Sequence, residues 1–174
     1  ITDFMESVRR DLLAPGTYGT DISAEDSPSV IKQKALLHIK NVVERMNFAL
    51  DADLLEKAAK RLANARKIIV VGDGGSGCTA RNAFDVFMQL NLANVQYSED
   101  PFYQAMMIAK MNSEDVMLAL SNSGRSKNTL DNVRHARKQG IYIIGITGVV
   151  GSPITNYLDI ALFTNSEEHK YFSD

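Results

Sequence analysis

The sequence predicts an α/β fold, a doubly wound five-stranded parallel sheet of order 2-1-3-4-5 flanked by helices. Three observations predict it. From Lys67 onward, short unbroken runs of Val, Ile and Leu alternate with amphipathic helical segments, the pattern of strands buried on both faces and joined by helical crossovers. Cap-then-proline pairs recur at Ser27-Pro28, Asp100-Pro101 and Ser152-Pro153, where Ser or Asp accepts an orphan backbone N–H and Pro has none to lose. The chain has 174 residues, 45% of them hydrophobic and 23% charged, enough for one core and unlike a disordered, collagenous or disulfide-built chain.

Residues 1–27 are acidic and punctuated by Pro15, Gly16 and Gly19, a linker composition. Phe4, Val8, Leu12 and Leu13 recur at helical spacing, so residues 2–13 are expected to be the end of a helix whose partners lie upstream. The first full helix starts at Ser27-Pro28 and runs to about residue 49, with Ile31, Ala35, Ile39, Val42, Val43 and Met46 as its apolar stripe. A second is expected from Asp53, with Glu56 completing a capping box and Leu54, Leu55, Ala58, Ala59 and Leu62 buried. The strands are Ile68 to Val71, Val95 to Ser98, Val116 to Leu120, Ile141 to Ile146 and Ile160 to Phe163. Between them, Ala80, Phe84, Phe87 and Met88 supply the core face of the first crossover, Met106, Met107 and Met111 fill the second, and Gly140 stops a helix. The predicted division is a linker and helical remnant, 1–27, and one domain, 28–174.

Charge excludes several roles. Lys and Arg total 19 against 21 Asp and Glu, a net charge of -2, so no positive field exists here to hold a phosphodiester backbone. One Cys excludes an intrachain disulfide, and no apolar run approaches the roughly 20 residues that a bilayer requires. A cytoplasmic protein that does not contact membrane is expected. The chain opens on Ile1 and no charged-then-apolar leader follows, which points to a piece of something longer rather than an exported precursor.

Two loops carry chemistry. After the first strand comes Gly72-Asp73-Gly74-Gly75-Ser76-Gly77-Cys78-Thr79. Glycines there let the backbone approach an anion, and the helix start that follows offers N–H groups and the positive end of a dipole. Gly72, Gly74 and Gly77 also satisfy G-x-G-x-x-G, and Glu99 or Asp100 falls where a ribose-binding acid would stand, so a dinucleotide remains an alternative. After the third strand comes Ser121-Asn122-Ser123-Gly124-Arg125-Ser126-Lys127. Three hydroxyls, an amide and a helix start suit the compact anion of a phosphate monoester, and the strand order sets this loop beside the first.

Gly72-x-Gly74-x-Ser76-x-x-x-Ala80, Ser121-x-Ser123-Gly124-x-Ser126-Lys127, Ile146-Thr147, Ser152-Pro153-Ile154 and Asp159-Ile160 together resemble the SIS (sugar isomerase) domain from about residue 28 onward. The leading helices resemble more narrowly the RpiR-type bacterial transcription regulators. That resemblance implies an effector domain that binds a phosphorylated sugar, works as a dimer or tetramer and touches DNA only through a helix-turn-helix domain absent from this chain. Carried over by position, Ser76, Ser121, Ser123 and Ser126 contact the sugar phosphate, while Gly74, Gly75, Asn122 and Gly124 shape its pocket. No cofactor and no metal is implied. Three departures stand out: Asp73 where relatives carry an apolar or small residue, Asn128 where a Glu is usual, and an end at Asp174, before the helix that such domains normally add.

Other residues weigh less. Cys78 near a helix start is expected to be buried packing, without His or Asn to make it a nucleophile. His38 and His135 lie on helices and show no metal-ligand spacing. Glu167, Glu168 and His169 keep open the alternative of an aldose–ketose phosphosugar isomerase, which must move a proton between adjacent carbons. The sensor reading is preferred to the enzyme. Its leading helix is the element expected to pack against a second subunit.

Overall fold

The computed structural model describes residues 22–92 and 94–164. The chain divides into two units, Ile1–Glu44 and Arg45–Asp174. The expected helix end at 2–13 and the candidates Glu167, Glu168 and His169 lie outside the described residues.

In the first unit a turn at residues 23–26 precedes helix α1, Pro28–Ala49, whose last residues belong to the second unit. Its start is as expected: Ser27 Oγ accepts the Val30 amide at 3.4 Å. Asp26 accepts the Ser23 amide and the Lys34 ammonium, both at 2.7 Å. Those bonds, the Lys34 one first, hold its carboxyl below the usual range. No residue of α1 is buried. Ile31, Ile39 and Val43 of the expected stripe stand exposed, as do Leu36 and Phe48.

The second unit is the sheet and its helices. In chain order it holds α2 (Ala52–Ala63), β1 (Ile68–Val71), α3 (Gly75–Gln89), β2 (Val95–Tyr97), α4 (Pro101–Ile108), β3 (Val116–Leu120), α5 (Lys127–Lys138), β4 (Tyr142–Thr147), a 3-10 turn (Pro153–Tyr157) and β5 (Ile160–Phe163). The five strands pair in the order β2-β1-β3-β4-β5, every pair parallel. Side chains alternate across each strand, so the core has two layers. Ile68, Val70, Val116, Leu118, Leu120, Ile144 and Leu162 face α2 and α3. Ile69, Val71, Met117, Ala119 and Ile143 face Ile108 of α4, Leu130 and Val133 of α5, and Ile154 of the 3-10 turn.

The structure corrects several local expectations. α2 is capped by Asp51, which accepts the amides of Asp53 and Leu54; Asp53 sits inside the first turn, so there is no capping box at Asp53–Glu56. The buried stripe of α2 is narrow: Ala58 is buried with Leu54 and Leu62 partly so, while Leu55 and Ala59, one step round the helix, are exposed. Met88 and Met106 are exposed rather than core. Ser152-Pro153 opens only a five-residue 3-10 turn, and Ser152 makes no capping bond, because the short span before β5 is closed instead by Thr155 Oγ1 donating to the Ser152 carbonyl at 2.7 Å. Cys78 is exposed; Gly77 is the buried residue of that turn. No helix among the described residues is long and apolar enough to cross a membrane.

Candidate functional site

The strand register brings the two loops together. Val71 pairs with Ala119, so β1 and β3 end side by side, and the order in which strands are added to the sheet reverses between them, where open parallel sheets bind ligands. Leu120 is level with Ile146, and Thr147 with Phe163, so the ends of β4 and β5 complete the same edge. There the sheet opens into a cavity of about 410 Å³.

The loop after β1 contributes Asp73, Gly75, Ser76 and Thr79 to that cavity. Gly74 is the N-cap of α3 at φ +53°, a conformation that L side chains rarely adopt. It turns the chain so that α3 points its first turn at the cavity. The amides of Gly75 and Ser76 form no hydrogen bond among the described residues. Tyr97 of β2 steadies the turn by donating its hydroxyl to the Gly77 carbonyl at 3.1 Å. Burial first, and the Glu99 carboxylate beside it, push its phenol above the usual range, so it remains a donor.

The loop after β3 contributes Ser121, Asn122, Ser123 and Ser126. Most of its amides are engaged by the protein: Ser121 donates to Ile146 O at 3.1 Å, Gly124 to Ser121 O at 3.1 Å, Arg125 to Ser123 Oγ at 3.3 Å and Asn122 to Ser76 Oγ at 3.3 Å. The last bond ties one loop to the other. Because Ser76 and Ser123 accept there, their own O–H groups remain to donate. Ser121 is 1% exposed, and its Oγ has no hydrogen-bond partner among the described residues. Ser126 is the N-cap of α5 but makes no side-chain capping bond. Gly124 is buried at φ +63°, and a Cβ there would collide with Ser152. It is packed tightly rather than free.

Six of the eight expected residues, Gly75, Ser76, Ser121, Asn122, Ser123 and Ser126, line one cavity. Gly74 and Gly124, in the same two loops, do not line it. Sequence reasoning missed Thr79, Thr147, Gly148 and Thr164, which also line it; the last three follow strand runs, and the rule that sites gather at the carboxyl ends of strands would have found them. Thr147 Oγ1 donates to the Asn122 carbonyl at 3.2 Å. Asn128, where the resemblance expects Glu, lies away from the cavity and donates to Gln104 Oε1 at 3.0 Å, beside Asn132 at 2.6 Å. Asp100, a candidate ribose acid, is occupied as the N-cap of α4, accepting from Phe102 and Tyr103. Neither it nor Glu99 lines the cavity.

The site is therefore a donor-rich basin. Hydroxyls and spare amides face it, and the N-termini of α3 and α5 point their positive ends toward it. Chemically it suits a compact oxyanion on a polar ligand.

Comparison with known proteins identifies the family and the fold. Residues 61–173 match the SIS domain family. An HTH-type transcriptional regulator of Haemophilus influenzae is 32% identical over 155 residues, covering 89% of this chain and 54% of its own length. A phosphoheptose isomerase of Campylobacter concisus is 25% identical over 162 residues, covering 80% of this chain and 85% of its own. The structure of the Vibrio vulnificus NanR protein complexed with ManNAc-6P shares the fold, with a TM-score of 0.72 at 20% identity over 94% of this chain and 56% of that one. The chain spans about half the length of the curated regulators that it matches.

Proposed function

The chain belongs to the SIS domain family, in the RpiR-type form that helix-turn-helix regulators carry, and from that premise we propose that it is the effector-sensing part of such a regulator. It binds a phosphorylated sugar and relays that binding to an N-terminal DNA-binding domain. Residues 1–27 serve as the linker, 28–174 as the sensor, and Gly74, Gly75, Ser76, Ser121, Asn122, Ser123, Gly124 and Ser126 as the site. The observation that carries this reading is the Ser121 hydroxyl, buried, unpartnered and on the wall of the cavity that both loops line. A buried hydroxyl without a partner costs stability, and a phosphoryl oxygen would satisfy it. The effect on transcription follows from linkage: a ligand that prefers one arrangement of subunits shifts how their DNA-binding heads are presented. The exposed Leu36, Ile39 and Val43 of α1 suit a homo-oligomer, dimer or tetramer, in which that helix meets another copy.

The test is a thermal-shift screen across phosphorylated hexoses, amino sugars and pentoses. At a hundredfold excess over Kd, linkage supplies about 2.7 kcal/mol, a rise of roughly 5–10 °C for a chain of this size. Ser123→Ala is expected to diminish that rise while leaving the ligand-free melting temperature nearly unchanged, since its hydroxyl serves a solvated loop. A screen in which no phosphosugar shifts the protein and NAD does would replace this reading with the dinucleotide one.

A second reading has its own support. The isomerase relative is matched over 85% of its length, so the domain alone resembles a whole enzyme. Incubation with ketose and aldose phosphates decides it: interconversion abolished by replacing Glu167 or Glu168 would make this chain an isomerase.

A further inference from the structure

Asp73 is out of place in the basin just described. Among the described lining residues it is the single ionisable side chain, and no Lys, Arg or His faces the cavity with it. Its main-chain carbonyl accepts the Gly77 amide at 3.2 Å. Its carboxylate forms no hydrogen bond or ion pair among the described residues. A carboxylate beside a phosphoryl group repels it, and an ionised Asp is an acceptor only. Such a residue favours binding only if the ligand brings donors to it.

We propose that Asp73 sets the ligand class of this site: the phosphate sits among the serine hydroxyls and helix starts, while the uncharged sugar end presents hydroxyl donors to Asp73. The cavity lining is then of two characters. Ser121, Ser123 and Ser126 donate from the loop after β3, and Asp73 accepts from the loop after β1. The polarity fixes the ligand's orientation and excludes phosphosugars whose far end is itself anionic, because two carboxylates would face each other without a cation between them. This rests on the phosphosugar reading and goes beyond it by separating neutral sugar phosphates from sugar-acid phosphates.

The experiment measures Kd by calorimetry for three probes, inorganic phosphate, glucose 6-phosphate and 6-phosphogluconate, on the parent protein and on Asp73→Asn and Asp73→Glu. Removing the charge should tighten inorganic phosphate and 6-phosphogluconate by about three- to tenfold, the size of a like-charge interaction screened by water, as suits the exposed Asp73 side chain. It should leave glucose 6-phosphate unimproved or weaker, so its advantage over the other two probes shrinks. Asp73→Glu, which keeps the charge, should leave inorganic phosphate where it was. Equal tightening of all three probes, or no change in any, overturns the inference, since Asp73 would then only repel or would face solvent. Failure of the parent protein to bind any of the three, together with a thermal-shift screen in which no phosphosugar raises its melting temperature, is a different result, which overturns the phosphosugar reading itself.

Discussion

The two loops of the site leave neighbouring strands at the same level of the sheet, yet they are built in opposite ways. The loop after β1 takes its shape from backbone conformation at Gly74, has open space around that glycine, and keeps the amides of Gly75 and Ser76 unengaged among the described residues. The loop after β3 takes its shape from packing and from its own hydrogen bonds: Gly124 is wedged against Ser152 and Ile154, and four of its amides already have protein partners. One loop therefore presents main-chain donors and the other presents hydroxyls. Glycine-rich and serine-rich loops look interchangeable as anion cradles, but they hold their donors by different physics and should fail differently when altered.

The largest expected effect is on the packed loop. Gly124→Ala combines the left-handed penalty of about 1–2 kcal/mol with an overpacking cost of about 1–3 kcal/mol, which in a chain of this size lowers the melting temperature by on the order of 10 °C. Calorimetry checks it, and a loss smaller than that of Gly74→Ala would reverse the contrast. Next comes Ser121→Ala. A hydrogen bond to a charged group is worth about 1.5–3 kcal/mol, so phosphosugar affinity should fall roughly 10- to 100-fold while ligand-free stability holds or rises, because the hydroxyl removed had no partner. Denaturant melts and calorimetric titration together read both halves. Gly74→Ala should cost about 1–3 kcal/mol, because φ +53° with ψ −128° lies outside the left-handed well that L residues tolerate, although the surrounding space is open.

Smallest, and outside both loops, is the turn before α1. Asp26 is held below its usual pKa by Lys34 and Ser23, so its ionised form favours the folded turn. That contribution is present above the unfolded value near 3.8 and is lost as pH falls through the lower folded one. An NMR titration of the Asp26 carboxyl should show the depressed midpoint, and Lys34→Met should raise it part of the way, the Ser23 amide still holding the carboxylate.

Much of this was readable from residue order, for identifiable reasons. Strands buried on both faces cannot hide their Val and Ile runs, so β1 and β3 fall on the expected residues, as does the edge strand β5, buried on alternate residues, and the cap-then-proline pairs at Ser27 and Asp100 start their helices as expected. The reading failed where two faces compete. Asp51 and Asp53 both look like caps, and only the geometry of the turn chooses the first. Leu55, Ala59, Met88 and Met106 are apolar and near the buried stripe, and a small rotation of each helix leaves them in solvent. At Ser152 a good start signal was followed by too little chain before β5 to make a helix.

By itself, then, residue order determined the alternation of strands and helices, and with it the sheet order and the neighbouring placement of two anion-seeking loops, because hydrophobic periodicity and crossover handedness leave few other solutions. Tertiary structure alone decided which donors remain available. It engaged the amides of the second loop with Ile146 O, Ser121 O, Ser123 Oγ and Ser76 Oγ, left the Ser121 hydroxyl unpartnered, set Asp73 on the cavity wall and drew in Thr147 and Thr164 from distant strands. Hydrogen-bond satisfaction depends on which groups meet across space, and that is settled only when separated segments pack together.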